Sequence, residues 1–519
     1  MSNTENNNLN EVTVSGISRR LFLTKGIAAA GSIFVALQTC DLSALASSSK
    51  KVKLDAALLK TKYGFKGKIF TTKDDNFDMA CVGGIWNRRR PSNRRPQMVA
   101  QVLDEDDVVA VVKYAKANKV KVAIRGGGHN WCSPSVRNSG IMLDLTNMNQ
   151  VISIDADKKR AVLQPIISNR QAQEELNKVG LSFPTGHCPQ VKLSGYFLSG
   201  GMSWNQGSWG HGYEALEAIE MVTAEGKKIT ASATENQDYF WAARGSGPGF
   251  FAVCTRYHLK CFPLPKAITS SVYYYPYDEI EKIAEWLGPL ASQLPSSIEL
   301  SLFAVQAPDD IADQCKDSNG KVALVTATMF ADNDDNAKYE LQALDSCPLL
   351  AKAIKKSIAE PCSFPQLFDA SGGLWPEGLR AKVDACFFDA PLSEVFKVNK
   401  EHFLKANPKT VYMFAVFTGK HIPEPPSDAC FSMHAKLYGG PWTMWEKAED
   451  DAKELEWHDT CMKNMASLVK GHYISESDTV AHPEYLETAI SKSNMEKLEA
   501  MRAKYDPDGV FFNFREGLS

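Results

Sequence analysis

Four glycine-rich loops lie between Arg125 and Val253: Arg125-Gly126-Gly127-Gly128-His129, Leu198-Ser199-Gly200-Gly201, Gly207-Ser208-Trp209-Gly210-His211-Gly212, and the run from Arg244 to Val253. Glycine costs backbone entropy on folding, roughly 0.5–1 kcal/mol against alanine inside an element. So many loops exceed what a core needs, and they point to close backbone approach along an extended anionic ligand. The first loop is the clearest. An apolar strand-type run, Lys121-Val122-Ala123-Ile124-Arg125, stops at three glycines. Without Cβ atoms, successive N–H groups can turn toward one point, the nest that a phosphate or pyrophosphate needs. His129 stands at the rim of that nest. Two common nucleotide loops are excluded. No G-x-x-x-x-G-K-[ST] occurs, and Pro248 would block the helix start that a G-x-G-x-x-G loop requires.

The chain has 519 residues and a net charge of −3. It is long enough for two or three domains. It lacks the basic patch of a nucleic-acid binder, so no nucleic-acid partner is expected. Residues 1–50 read as a twin-arginine export signal. Ser18-Arg19-Arg20-Leu21-Phe22 precedes an apolar run from Gly26 to Leu37, and Ala44-Leu45-Ala46 offers a small-residue cleavage site. The apolar run is too short for a stable membrane span. The expectation is a periplasmic or secreted protein that folds around its cofactor before export. Cys40 leaves with the signal; the other eleven of the twelve cysteines show no C-x-x-C pair and no legible disulfide pattern.

Along the mature chain, 96–100 reads as a strand and 104–118 as a helix with Val108, Val111, Val112 and Ala115 on one face. Strands follow at 121–125, 141–145, 151–155, 160–164, 216–223 and 253–261, with helices at 168–179 and 238–243. After Phe262-Pro263-Leu264-Pro265 the glycine clusters vanish. Strands at 270–275, 298–305, 321–330, 410–418 and 429–438 alternate with helices at 279–292, 336–344 and 446–469. This pattern predicts a second, α+β domain on a large, mainly antiparallel sheet flanked by helices. A helix at 495–505 and a short strand at Val510-Phe511 end the chain. Tyr412, Phe414 and Val416 alternate on one strand, and either cavity lining or core packing explains them.

Phe183-Pro184-Thr185-Gly186-His187-Cys188-Pro189 is a rigid loop with a thiol near its tip. His129, Cys132, His187 and Cys188 are residue types that zinc uses. Adjacent residues seldom both chelate one ion, however, so no metal is expected; a zinc protein using His129, Cys132 and Cys188 stays as a rival. His187 and His211 read as loop histidines bonded to backbone.

The Arg125–His129 loop, then Gly186-His187-Cys188-Pro189, then Leu198-Ser199-Gly200-Gly201, then the 245–253 loop together resemble the vanillyl-alcohol-oxidase flavoprotein superfamily. Within it they resemble the berberine-bridge-enzyme-like branch with a PCMH-type FAD domain. The match runs from Arg94 to Phe262 and resumes at Tyr505-Asp506-Pro507. The resemblance implies an α+β, two-domain PCMH-type FAD-binding fold. Its FAD-binding domain covers 54–263, with a PCMH-type core at about 92–263; a substrate domain covers 264–470, and a C-terminal segment, 471–519, returns to the FAD domain. The resemblance further implies FAD held twice, through His129 to the 8α-methyl carbon and Cys188 to C6. The other cofactor-binding positions it carries over are Arg125, Gly126, Gly127, Gly128, Asn130, Gly186, Val191, Gly195, Gly200, Gly201, Gly247 and Val253.

In this branch the base is often a tyrosine in a Y-x-N-Y-like segment. Here Tyr473-Ile474-Ser475-Glu476 stands in that place, with serine for the usual asparagine and glutamate for the usual tyrosine. Tyr473 is then the base and Glu476 its support. Val191 leans toward oxidases, although Lys192-Leu193-Ser194 departs from the usual glycine-rich continuation. The activity implied is hydride transfer from an alcohol carbon of a sugar or secondary metabolite to flavin N5, with electrons passing to oxygen. Rivals are a dehydrogenase using a quinone or another acceptor, and a non-catalytic flavin- or sugar-binding protein of the same fold.

Overall fold

The computed structural model describes residues 53–518. The export-signal reading of residues 1–50, Cys40 included, lies outside them. The helix expected at 104–118 forms as Glu105–Ala117. The Asp104 side chain accepts the Asp107 N–H at 3.0 Å, and three acidic residues occupy the first turn, where the helix dipole favours them. Its Val108, Val111, Val112 and Ala115 are buried against a four-stranded sheet. The sheet order is Lys68–Thr71, Met98–Gln101, Ile141–Asp144, Val122–Arg125. The last three strands run parallel. Val122–Arg125 lies at the edge, and the C-terminus covers it: Phe511 bridges to Val122, and the Val122 N–H donates to Val510 O at 2.7 Å. The strand that delivers the first glycine loop is thus held from both sides.

A five-stranded antiparallel sheet follows, in the order Val151–Asp155, Arg160–Leu163, Ala252–Lys260, Leu216–Thr223, Lys228–Ser232. Beyond residue 266 the chain builds a nine-stranded, antiparallel sheet. The helices Ile280–Ala291, Leu392–Lys397 and Asp451–Met465 share one buried apolar cluster with this sheet. Phe303, Leu324, Val411 and Trp442 of the same sheet join a different cluster, together with Trp86, Phe183, Phe197 and Phe251 of the FAD-binding part. The large sheet is therefore sandwiched between its own helices and the cofactor-binding half. Among the described residues no helix is long and apolar enough to cross a membrane.

Three features of the large sheet matter for the site. The strand expected at 429–438 is Leu437–Trp445, fully buried along its length. Gly439-Gly440-Pro441 disguised it. Those glycines are required by crowding: a Cβ on Gly439 would lie 2.0 Å from Met413 O, and one on Gly440 2.3 Å from Asp384 O. Second, of the two readings left open for Tyr412, Phe414 and Val416, core packing holds for Tyr412 and Phe414, which point into the helix-side core; Val416 also reaches the second cavity, and Met413 and Ala415 face the cavities. Third, Gly471–His472 is a strand of the large sheet, paired with Cys386–Phe388, so the return to the cofactor-binding half comes after it, with the helix Lys492–Tyr505 and Phe511.

Candidate active site

Past Arg125 the strand pairing ends, and the amides of Gly126, Gly127 and Gly128 donate to no protein group among the described residues. Each glycine is packed from outside. A Cβ on Gly126 would lie 2.0 Å from Ser194 Oγ, one on Gly127 2.3 Å from Lys192 Cγ, and one on Gly128 2.0 Å from Gly84 O; Gly128 also has φ +67°. Ser194 Oγ, Asn169 Oδ1 and Ser133 Oγ are buried without partners among the described residues and belong to residues lining the same cavity. Free amides and orphaned hydroxyl and amide groups around one cavity fit a polyanionic cofactor. Asn130, Gly186, Val191, Gly195 and Gly247 line it as expected.

His129 and Cys188 also line this cavity, with Sγ 3.4 Å from Nε2. The imidazole packs beside Trp86, ring centres 4.9 Å apart. Burial pushes His129 down to about 4, with the Lys192 cation adding to the effect, so the ring is neutral near pH 7. Burial pushes the Cys188 thiol up to about 11, partly opposed by the amides of Gln190 and Val191. The side chain is therefore a thiol near neutrality, and its nearest base is the imidazole. Cys132 Sγ turns to Asn130 Oδ1 at 3.1 Å, and no group of three or more metal-ligating side chains forms among the described residues.

The Tyr473–Glu476 segment forms the far wall. Asn130 Nδ2 donates to Ser475 O at 2.9 Å, tying the glycine loop to it. Main-chain hydrogen bonds to Ala385 fix Tyr473 and Glu476, and Asp384 Oδ1 accepts the Asp478 N–H at 2.6 Å. The phenol of Tyr473 accepts the Gly201 N–H at 3.2 Å. Burial and then the charge of Glu476 hold that phenol far above its ordinary range. Glu476 is bonded to a different tyrosine: Tyr438 Oη donates to its Oε2. Burial raises the Glu476 carboxyl, while the Tyr438 hydroxyl and His187 act to lower it.

Several sequence-derived residues are elsewhere. Arg125 turns away from the cavity; its guanidinium pairs with Asp144 at 2.5 Å and donates to Ala80 O and Cys81 O. Gly200 and Gly201 pack against Phe431 and Tyr196. Val253 lies in the core beneath the helix Glu105–Ala117, and its neighbours Ala252 and Cys254 reach the cavity instead. His187 and His211 both bond to carboxylates: His187 Nε2 to Glu299 at 3.0 Å, His211 Nδ1 to Glu214 at 3.2 Å. Tyr438, Ser194 and Asn169 were missed. The Gly439-Gly440 pair after Tyr438 is a signal for close strand approach that would have marked its strand.

A second chamber of ≈ 680 Å³ opens from the first. Trp204, Trp209, Phe262, Met413, Ala415 and Phe417 line it, and the His187–Glu299 pair stands in its wall. His187, Met202, Trp375, Met413 and Tyr438 line both spaces, so the two meet beside Glu476.

Residues 96–232 match the FAD binding domain family. The chain is 27% identical over 428 residues to the FAD-linked oxidoreductase janO of Penicillium janthinellum, covering 82% of this chain and 91% of that protein. It is 25% identical over 457 residues to (R)-6-hydroxynicotine oxidase of Paenarthrobacter nicotinovorans, covering 87% and 97%. In fold it is similar to Physcomitrella patens BBE-like 1, with a TM-score of 0.75, 17% identity, and 88% and 98% of the two chains covered. Together with the cavity just described, these likenesses define an FAD-dependent oxidoreductase. More narrowly, residues 96–232 are similar to the FAD binding domain family, and the fold of the chain is that of the berberine-bridge-enzyme-like structure.

Proposed function

We propose that this protein is an exported oxidase of an alcohol carbon, borne by a secondary metabolite or a sugar, with its flavin tethered through His129 and Cys188. Bound FAD supplies the two-electron acceptor for the substrate carbon. The observation that carries the reading is the junction of the two spaces, where Tyr438 and Glu476 meet the cofactor cavity and the aromatic chamber. Glu476 takes the hydroxyl proton, directly or through Tyr438. A phenolate at Tyr473 is opposed both by burial and by the Glu476 charge, which favours the carboxylate as base and Tyr473 as its support. Rings lining the chamber favour a substrate with a flat apolar body over a free sugar. His129 and Cys188, side by side, suit attachment at two neighbouring positions on one edge of the flavin. Arg19-Arg20 and the apolar run after them support export to the periplasm or beyond.

Val191 in the cavity wall supports oxygen as acceptor, as does the likeness to a named oxidase. The departure at Lys192-Leu193-Ser194 favours the second reading, a dehydrogenase using a quinone or similar acceptor. Mixing the protein without oxygen with a panel of ring-bearing alcohols and sugars, then admitting air, tests the proposal. Loss of the yellow absorbance followed by stoichiometric peroxide supports an oxidase. Loss of colour with no peroxide, but reduction of a quinone, selects the dehydrogenase. A flavin that no member of the panel reduces sinks the alcohol-oxidising reading.

A further inference from the structure

Two cationic side chains line the cofactor cavity, Arg137 and Lys192. The Arg137 guanidinium is already engaged, donating to the carbonyls of Pro134, Glu516 and Phe514 at 2.5, 2.6 and 3.3 Å. Lys192 is different. Its ammonium makes no hydrogen bond or ion pair among the described residues, although the side chain is half-buried. Its backbone is fixed, since Lys192 bridges to Ser168 and its carbonyl accepts the Tyr196 N–H at 3.3 Å. Its side-chain stem lies against Gly127, where an added Cβ would be 2.3 Å from Cγ. Two residues on, Ser194 is 6% exposed, and its Oγ has no partner among the described residues although it lies against Gly126. The free amides of Gly126, Gly127 and Gly128 complete the group.

We propose that Lys192 and Ser194 close the Gly126–Gly128 loop into an anion cradle, and that Lys192 supplies the counter-charge for the pyrophosphate of FAD. A buried, orphaned hydroxyl beside a half-buried, unpaired cation is costly unless a ligand supplies their partners. A pyrophosphate supplies two negative charges and acceptor oxygens for every donor present: three amides, one hydroxyl and one ammonium. Burial lowers the Lys192 ammonium below the ordinary lysine range, which is the direction a cation takes when its partner is absent. The cradle accounts for why Gly126 and Gly127 have no side chains: a methyl at either would occupy the place of the hydroxyl or of the lysine stem. The proposal needs FAD in this cavity but neither covalent tether.

The test uses the full chain carrying His129→Ala and Cys188→Ala, in which no tether can form and the flavin exchanges. Its apoprotein is titrated with FAD and, separately, with riboflavin, which lacks phosphate, following flavin fluorescence. Lys192→Met is expected to weaken FAD by about tenfold or more, the size of a lost charge-assisted hydrogen bond, with riboflavin unchanged. Lys192→Arg should restore most of the affinity, and Ser194→Ala should cost a smaller factor, again for FAD alone. Lys192→Gln, which keeps a polar chain, serves where the Met variant melts at a lower temperature. Unchanged FAD affinity in Lys192→Met or Lys192→Gln would overturn the proposal. So would equal weakening of FAD and riboflavin, which would place the charge at the flavin ring.

Discussion

The sulfur of Cys188 lies 3.4 Å from Nε2 of His129, two nucleophiles brought together from loops 59 residues apart. If both join the flavin, acid-precipitated protein keeps its yellow colour, as does each single variant, His129→Ala or Cys188→Ala, with a shifted spectrum. The double variant releases all colour to the supernatant. Release from the wild type would refute both tethers. The two attachments should also differ in pH dependence. His129, held near 4, is already neutral across the working range, so its attachment in Cys188→Ala is flat above about pH 5. Cys188, near 11, must first lose a proton, so its attachment in His129→Ala accelerates steadily with pH toward that value. Reconstituting each apoprotein with FAD across pH, and measuring acid-stable flavin, checks both slopes.

The pairing of Glu476 with Tyr438 gives a second prediction. Glu476→Gln should slow anaerobic flavin reduction by about 10²-fold or more, the usual loss when a general base is removed. Because burial raises this carboxyl, the rate should climb with pH through a midpoint above the ordinary carboxylate range and then level off. Tyr438 acts to lower that midpoint, so Tyr438→Phe moves the rising limb to higher pH. Tyr473→Phe leaves the limb in place if Tyr473 only supports the site. A limb that disappears in Tyr473→Phe and survives in Glu476→Gln would return the role of base to the tyrosine.

The cofactor half was legible because its function is carried by backbone. Gly126 to Gly128 must be glycine for steric reasons, and steric reasons leave a sequence signature. His129 and Cys188 were found through the order of loops, which fixes position without needing side-chain direction. Direction was what failed. Arg125 belongs to the same short motif yet points to Asp144, because the alternation at a strand end decides the face and no local signal announces which side is filled. On the strand Val411–Val416 the sequence left cavity and core open for Tyr412, Phe414 and Val416, since a strand packed on both faces shows no polar side from which to take the phase. Tyr438 was hidden because its partner Glu476 is 38 residues away and its own strand, Leu437–Trp445, was read about eight residues too early, which left Tyr438 at the far end.

Arg125 is expected to be structural. Its pair with Asp144 is almost fully enclosed, and two main-chain carbonyls share the guanidinium. Removing one partner of a buried pair costs about 3–5 kcal/mol, because the other charge is left uncompensated. Arg125→Met should therefore lower the melting temperature of apoprotein and holoprotein alike. The fraction that stays folded should bind FAD as the parent does. A variant that melts normally but binds FAD poorly would put Arg125 back among the cofactor ligands.

The two faces of Val411–Val416 should respond oppositely. Phe414 is buried under the helices, packed against Phe388 and Phe396. Phe414→Ala should cost about 3–5 kcal/mol of stability, measured by denaturant unfolding. Ala415 faces the aromatic chamber, so Ala415→Phe should leave unfolding little changed while raising KM for bulky substrates. Equal destabilisation by both would mean that the chamber is not a binding space.

Val191 gives the last prediction, on what happens after the substrate has been oxidised. Its side chain lines the cofactor cavity three residues past Cys188, and its backbone is fixed, with the carbonyl accepting the Asn169 N–H at 2.9 Å. The neighbouring loop therefore cannot easily yield to a longer side chain. Val191→Leu adds one methylene at that wall, and the extra bulk must project into the space beside the flavin. Reduction by substrate under anaerobic conditions should stay within about twofold, since the Tyr438–Glu476 side of the junction is untouched. Reoxidation by oxygen should slow by at least about tenfold, while reoxidation by a quinone, whose electrons need no oxygen-sized pocket, should persist. Stopped-flow reoxidation of the reduced protein with each acceptor separates these rates. If oxygen and quinone reoxidise Val191→Leu as fast as the parent, access at Val191 does not control the acceptor.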